Sequence, residues 1–232
     1  MNYNNWEKQV QHSLEKLKTK LDQNSISKEL YNGFYIWDSK YRSNPEIMFI
    51  GINPGDGNPN NDKSIVVKPE KQMSYLEYWD EDEPNLTYTL ARETINVFQK
   101  LGYNQIQITD IFNNKSVKTN FYYVITKKEN DIKKAFNTIE NKGFNEYWVK
   151  SYKWTGELID ILKPKIIICE GKGVFDMIKD YDDNINVEWN SDCGFIERKD
   201  GIIVIGYSRI FSNIKNKTGV ADLISKFWKY EK

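Results

Sequence analysis

The stretch IMFIGINPGDGNPN, residues 47–60, decides how the chain is read. Ile47, Met48, Phe49 and Ile50 form a short, wholly apolar run that fits a strand covered on both faces. The run stops at Gly51-Ile52-Asn53-Pro54-Gly55, and a polar loop follows. Pro54 fixes a turn and Gly55 lets another backbone or a ligand come close. Two readings stay open at this point. Asn53 is part of a plain strand-end turn, or it is held out beyond the sheet to act on a ligand.

Working outward, residues 5–22 space Val10, Leu14, Leu17 and Leu21 at helical intervals, which predicts an amphipathic helix. NLTYTLARETINVFQKLGY, residues 85–103, reads as a helix stopped by Gly102, and QIQITDIF, 105–112, as a second strand. Residues 128–165 hold two helices broken near Gly143 and stopped by Pro164. KIIICEG, 165–171, is a third strand, apolar enough to be central. VFDMIKDY, 174–181, predicts a short helix. VEWNSDCGFIERKDGIIVIGY, 187–207, predicts two strands around a turn and then a further core strand, and ADLISKFWKY, 221–230, a last helix. Strands alternating with helices predict an α/β fold around a mostly parallel sheet, with ligands bound beyond the carboxyl ends of its strands. Neither repeats nor a linker interrupt the pattern, so a single domain over 1–232 is expected, residues 1–44 forming a helical N-terminal extension.

Composition narrows the function classes. The 232 residues carry 33 Lys plus Arg against 33 Asp plus Glu, a balance that argues against nonspecific coating of nucleic acid but leaves a local basic groove open. Cys169 and Cys193 stand alone, with no Cys/His cluster, so neither a metal nor another cofactor is expected. His12, the one histidine, lies in the charged N-terminal helix, where it reads as a surface residue. The start has no signal-peptide pattern and no apolar run is long enough to span a bilayer; the expectation is a soluble, cytoplasmic protein without a membrane partner.

FIGINPG (49–55), ITD (108–110), LKPKIIICEG (162–171) and IVIGYSRIFS (203–212) occur in an order that resembles the uracil-DNA glycosylase superfamily. The flavour is that of its mismatch-specific and single-strand-selective branches, which also use Gly-x-Asn-Pro-Gly. The resemblance implies a three-layer α/β/α fold with a central four-stranded sheet. It also implies a monomeric enzyme of DNA repair and base excision, acting on single- or double-stranded DNA by base flipping. In that family the motif asparagine positions the attacking water, a role that carries over to Asn53. The chemistry agrees, because an amide oxygen can orient a water while the sugar becomes oxocarbenium-like and the base leaves as an anion. Gly51, Ile52, Pro54 and Gly55 would line the bound nucleotide.

Three positions depart from the family pattern. Asp110 stands where an asparagine usually reads the uracil edge. An ionised carboxylate only accepts, so an amino-bearing or modified base becomes the expectation if Asp110 faces the base. Otherwise Asp110 caps a loop, or Asn113, Asn114 or Asn120 reads the base in a shifted register. Tyr207 and Ser208 replace a His-Pro-Ser-like loop; Tyr207 would donate a hydrogen bond to the departing base. Arg209 would meet a phosphate, and Phe211 would wedge into the gap left by the flipped base or simply pack. The position of the stacking aromatic falls in SIVV, 64–67, and the nearest rings are Tyr75, Tyr78 and Trp79, either stacking on a base or forming a helix face. Lys63, Lys68, Lys115, Lys118, Lys215 and Lys217 form a basic rim or are only solvated. The expected function is a monofunctional DNA glycosylase, since no lysine inside the motifs offers itself as a Schiff-base nucleophile. The alternative is a nucleic-acid- or nucleotide-binding protein on the same fold without catalysis.

Overall fold

In the computed structural model, which describes residues 1–55, 63–67, 74–77, 88–181 and 184–231, the predicted helical stripe at the N-terminus folds as α1 (Tyr3–Gln23). Trp6, Val10, Leu14, Leu17 and Leu21 recur at three- and four-residue steps and are all buried. Asn2 caps the helix by accepting from the Asn5 N–H at 3.0 Å. Asn24 ends it, and the Asn24 side chain then caps α2 (Ser25–Leu30). β1 (Phe34–Tyr35), β2 (Ile47–Gly51), β3 (Ile65–Val66) and the single turn α3 (Ser74–Glu77) follow. α4 (Thr89–Lys100) stops at Gly102, whose φ of +84° suits a residue without a side chain.

The expected strand at 105–112 is instead α5 (Gln105–Asp110), which runs into a π-helical turn over Ile111–Lys115. A reciprocal cap explains the difference. Asn104 accepts from the Gln107 N–H and the Gln107 side chain accepts from the Asn104 N–H, both at 3.0 Å. The strand comes later, as β4 (Ser116–Asn120). α6 (Glu129–Ile139) and α7 (Gly143–Leu162) then lead to β5 (Ile166–Cys169), α8 (Lys172–Lys179), β6 (Asn184–Asn190), β7 (Cys193–Arg198) and β8 (Ile203–Tyr207). The chain closes through β9 (Arg209–Ile210), β10 (Asn213–Ile214) and α9 (Lys217–Phe227).

These elements form two compact units, each assembled from separated pieces of chain: 1–38, 52–69 and 119–162 in one, 39–51, 70–118 and 163–232 in the other. In the first, α1 packs on α2, α6 and α7, and β1 pairs in parallel with β3. The Trp6 indole donates to the Trp154 carbonyl at 3.2 Å and the Trp37 indole to the Tyr3 hydroxyl at 2.9 Å, so the large buried rings keep their polar atoms satisfied.

The second unit holds the main sheet, in strand order β4-β2-β5-β8-β7-β6. β2, β5 and β8 run parallel, as the apolar runs required. The Glu46 N–H donates to the Lys115 carbonyl before β2 and β4, and the Tyr122 N–H to the Ile52 carbonyl after them, so those strands also run the same way. The sheet has six strands rather than the expected four, because the predicted pair β6 and β7 adds antiparallel beside β8. Ile47, Phe49, Ile166, Ile168, Phe195 and Ile205 face a core closed by residues of α4, α5 and α9, while α8 packs on β5 and β8. After β2 the chain adds β4 on one side and later β5 on the other. The switch point, where open α/β sheets bind ligands, therefore lies at the carboxyl ends of β2 and β5.

Candidate functional site

Gly51 closes β2 and is buried in the second unit, while Ile52, Asn53 and Pro54 are half-buried and Gly55 exposed in the first. The motif thus begins where a strand at the switch point ends. The Asn53 amide nitrogen donates to the Pro54 carbonyl at 2.9 Å and sits 3.2 Å from the Thr126 hydroxyl and 3.4 Å from the Thr126 carbonyl. The bond of 2.9 Å between Tyr122 N–H and Ile52 carbonyl ties this loop to the chain leaving β4. Two residues before Tyr122, at the last position of β4, stands Asn120. It is 2% exposed, and its amide nitrogen has no hydrogen-bond partner among the described residues. A buried N–H₂ group without a protein acceptor is costly, and a water or a ligand is what serves such a group. With the strand displaced from 105–112 to 116–120, Asn120 takes the strand-end position that the sequence assigned to Asp110.

Asp110 lies on a helix, not at a strand end. One of its carboxylate oxygens accepts from the Asn114 amide at 2.7 Å and the other from the Tyr230 hydroxyl at 3.1 Å. That staple also raises the Tyr230 phenol, first through burial and then through the bond to Asp110. The carboxylate thus has local partners of its own and does not stand at a strand end, where it would read an amino-bearing base.

A second constellation belongs wholly to the second unit. Lys118 on β4 and Glu170, directly after β5, are 3% and 2% exposed and form an ion pair at 3.4 Å. The Tyr75 hydroxyl donates to Glu170, and its ring lies under the Lys118 ammonium at 5.2 Å. Tyr75 is fully buried among Phe49, Tyr88 and Phe112, so of the two readings, a ring that stacks on a base or one that packs on a helix face, the packed one fits. Tyr78 and Trp79 lie outside the described residues.

Tyr207, the last residue of β8, is 2% exposed and its hydroxyl finds no well-aligned hydrogen bond among the described residues. Thr94 is the neighbouring hydroxyl, but its proton goes to the Leu90 carbonyl. Burial, reinforced by the Glu170 charge, pushes the Tyr207 phenol far above its ordinary value, against the opposing pull of Arg209 and Lys118. Tyr207 is therefore a proton donor at every working pH. Gly171 holds φ at +137°, and a side chain there would begin 3.3 Å from the Arg209 guanidinium, so the glycine makes room for the arginine. Ser208 is fixed through its backbone, its N–H to the Asp192 carbonyl at 2.6 Å and its carbonyl to the Lys215 N–H at 3.1 Å.

Beyond Ser208, β9 and β10 form a tight antiparallel hairpin whose tip carries Phe211. Phe211 has φ of +53° and is 90% exposed, and Ile210 beside it is 56% exposed. Packing therefore does not account for this aromatic. The proposed basic rim fares worse. Lys115 is paired with Glu46 at 3.1 Å, Lys215 with Asp192 at 3.5 Å and Lys217 with Glu93 at 2.6 Å. Lys63 meets the Lys28 carbonyl and the Tyr31 ring, and Lys68 lies outside the described residues.

Sequence reasoning missed Thr126 and Glu170, and it read Lys118 as a rim or solvated lysine where the structure buries it in an ion pair. Of the two that were missed, Glu170 left a trace, as a charge directly ending an apolar strand in IIICEG. Among the described residues no group of three or more His, Cys, Asp and Glu is gathered as metal ligands would be, and no helix is long and apolar enough to cross a membrane. Comparison with models of protein families and with curated proteins finds no match.

Proposed function

We propose that the protein is a monofunctional DNA glycosylase of uracil-DNA glycosylase type, hydrolysing the N-glycosidic bond of a flipped base. The observation that carries this reading is the pair of asparagines on neighbouring parallel strand ends, Asn53 with its amide nitrogen engaged and Asn120 with its amide nitrogen buried and without a partner among the described residues. Cleavage leaves positive charge on the sugar and negative charge on the base. Asn53 orients a water toward the sugar carbon through its amide oxygen. Asn120 donates to a carbonyl oxygen on the base edge while its own oxygen accepts from the adjacent ring N–H, the pattern of uracil and thymine. Tyr207, its phenol raised by burial, keeps its proton and so has a donor to offer rather than a charge. Phe211, on a hairpin directly after the fourth parallel strand and bare to solvent, is suited to fill the gap in the base stack, and Arg209 before it to meet phosphate.

The burial of Tyr207 where the resemblance calls for a histidine favours a second reading, a DNA-binding protein without catalysis. Abasic-site formation separates the two. Oligonucleotides carrying uracil, mismatched thymine, deaminated purines, alkylated bases or modified cytosines are incubated with wild type, Asn53→Ala and Asn120→Ala. Release of uracil or thymine by wild type, lost in Asn53→Ala and weakened in Asn120→Ala, supports the glycosylase. DNA binding with no release from any oligonucleotide supports the binder.

A further inference from the structure

We infer that Thr126 is a positioning residue that fixes which end of the Asn53 amide does the work; the catalytic part of this inference rests on the glycosylase reading, the geometric part does not. Three groups surround one end of the amide, and each can only accept there. The Pro54 and Thr126 carbonyls carry no proton, and the Thr126 hydroxyl gives its own proton to the Lys128 carbonyl at 2.9 Å. An amide oxygen facing them would meet three lone pairs. The nitrogen must therefore face inward, at 2.9, 3.4 and 3.2 Å from those acceptors, and Oδ1 must face away. None of these bonds involves Oδ1, so among the described residues the outward end is an acceptor with its direction set. That is the end a water molecule requires if its lone pair is to point at an electron-poor carbon.

Thr126 is 1% exposed and sits just ahead of α6, so its hydroxyl is held by the same turn that starts the helix. An asparagine free to turn its amide would present the wrong end to a water for part of the time. Thr126 removes that freedom without touching the reacting atoms.

The experiment has two readouts on wild type, Thr126→Val and Thr126→Ser, a near-isosteric change and its conservative counterpart. The first is NMR of the Asn53 side-chain amide, assigned by its absence in Asn53→Ala. In wild type its hydrogen exchange is slow; Thr126→Val speeds it roughly fivefold to tenfold, the worth of one neutral hydrogen bond, and Thr126→Ser restores it. The second is release of uracil from a single-stranded oligonucleotide, where Thr126→Val lowers kcat by a similar factor with KM unchanged and Thr126→Ser is near wild type. Wild-type exchange as fast as that of exposed asparagines, or exchange indifferent to Thr126→Val, overturns the inference. Equal loss of kcat in the Val and Ser variants also overturns it, since packing and not the hydroxyl is then at work. Slow exchange relieved by Thr126→Val in a protein that releases no base upholds the positioning of Asn53 and removes the glycosylase reading.

Discussion

Replacing Lys118 by Met tests how the polar cluster at the strand ends is held. Lys118 and Glu170 are 3% and 2% exposed with 3.4 Å between their charges, so water screens neither. Removing one partner of such a pair leaves an uncompensated buried charge, a loss of about 3–5 kcal/mol. Tyr75 still donates to Glu170 after the substitution, which places the expected cost near the lower end. Glu170→Gln keeps an acceptor for Tyr75 but removes the charge that faces the ammonium, and a loss of the same order is expected. The double variant Lys118→Met, Glu170→Gln removes both charges and recovers most of the loss, to within about 1–2 kcal/mol of wild type. Urea unfolding at neutral pH measures all four proteins. Single variants within about 1 kcal/mol of wild type, or a double variant as unstable as the sum of the singles, would refute the reasoning.

Further outcomes can be measured on the same material. Phe211→Ala leaves the unfolding midpoint within about 0.5 kcal/mol of wild type, because the ring is 90% exposed; on the proposed function it weakens DNA binding by about 1–3 kcal/mol, the worth of a stacked base, which fluorescence anisotropy with a labelled oligonucleotide reads. Gly171→Ala costs about 1–3 kcal/mol in urea unfolding, since alanine must adopt φ of +137° and its Cβ meets the Arg209 guanidinium. Glu46 supplies a pH signature. Burial alone would raise its carboxyl, but bonds from Trp228, Lys115 and Lys165 outweigh that and hold it below the ordinary carboxylate range. Its contribution to stability is therefore complete above the unfolded value and lost as pH falls through the lower folded one. Urea midpoints between pH 7 and pH 3 fall for wild type in that acid window, and the fall is shallower in Glu46→Gln.

Where hydrophobic pattern alone decides structure, the sequence was readable. The helix at 5–22, the runs 47–51 and 165–169, the two helices around Gly143 and the strands at 187–207 all exist, because each except the exposed edge strand β6 buries apolar side chains whose period fixes its geometry. The failure at 105–112 has a local cause. Ile106 and Ile108 alternate with polar residues like a half-buried strand, yet Ile106 is 80% exposed and Ile108 fully buried on a helix set by the Asn104–Gln107 cap. Apolar content missed the true strand, SVKTN, because its polar side chains are buried against partners remote in sequence. The Ser39 hydroxyl accepts from the Lys118 N–H at 2.8 Å, the Thr119 hydroxyl donates to the Ile36 carbonyl at 2.5 Å, and Glu170 pairs with Lys118. Asn53 could be singled out as a candidate because a motif surrounds it. Thr126 could not, because it stands out only once the fold brings residue 126 beside residue 53.

The interleaving of the two units governs how the protein can be made and cut. The unit that begins with residue 1 lacks its last segment until residue 162 has been synthesised, and by then much of the other unit has already emerged. A ribosome therefore cannot release one finished body before starting the next, so early exposure of α1's apolar stripe is built into biosynthesis. For the same reason no single truncation point yields either unit alone. A fragment 1–162 or 39–232 carries one unit complete, but also pieces of the other cut off from the segments that complete it.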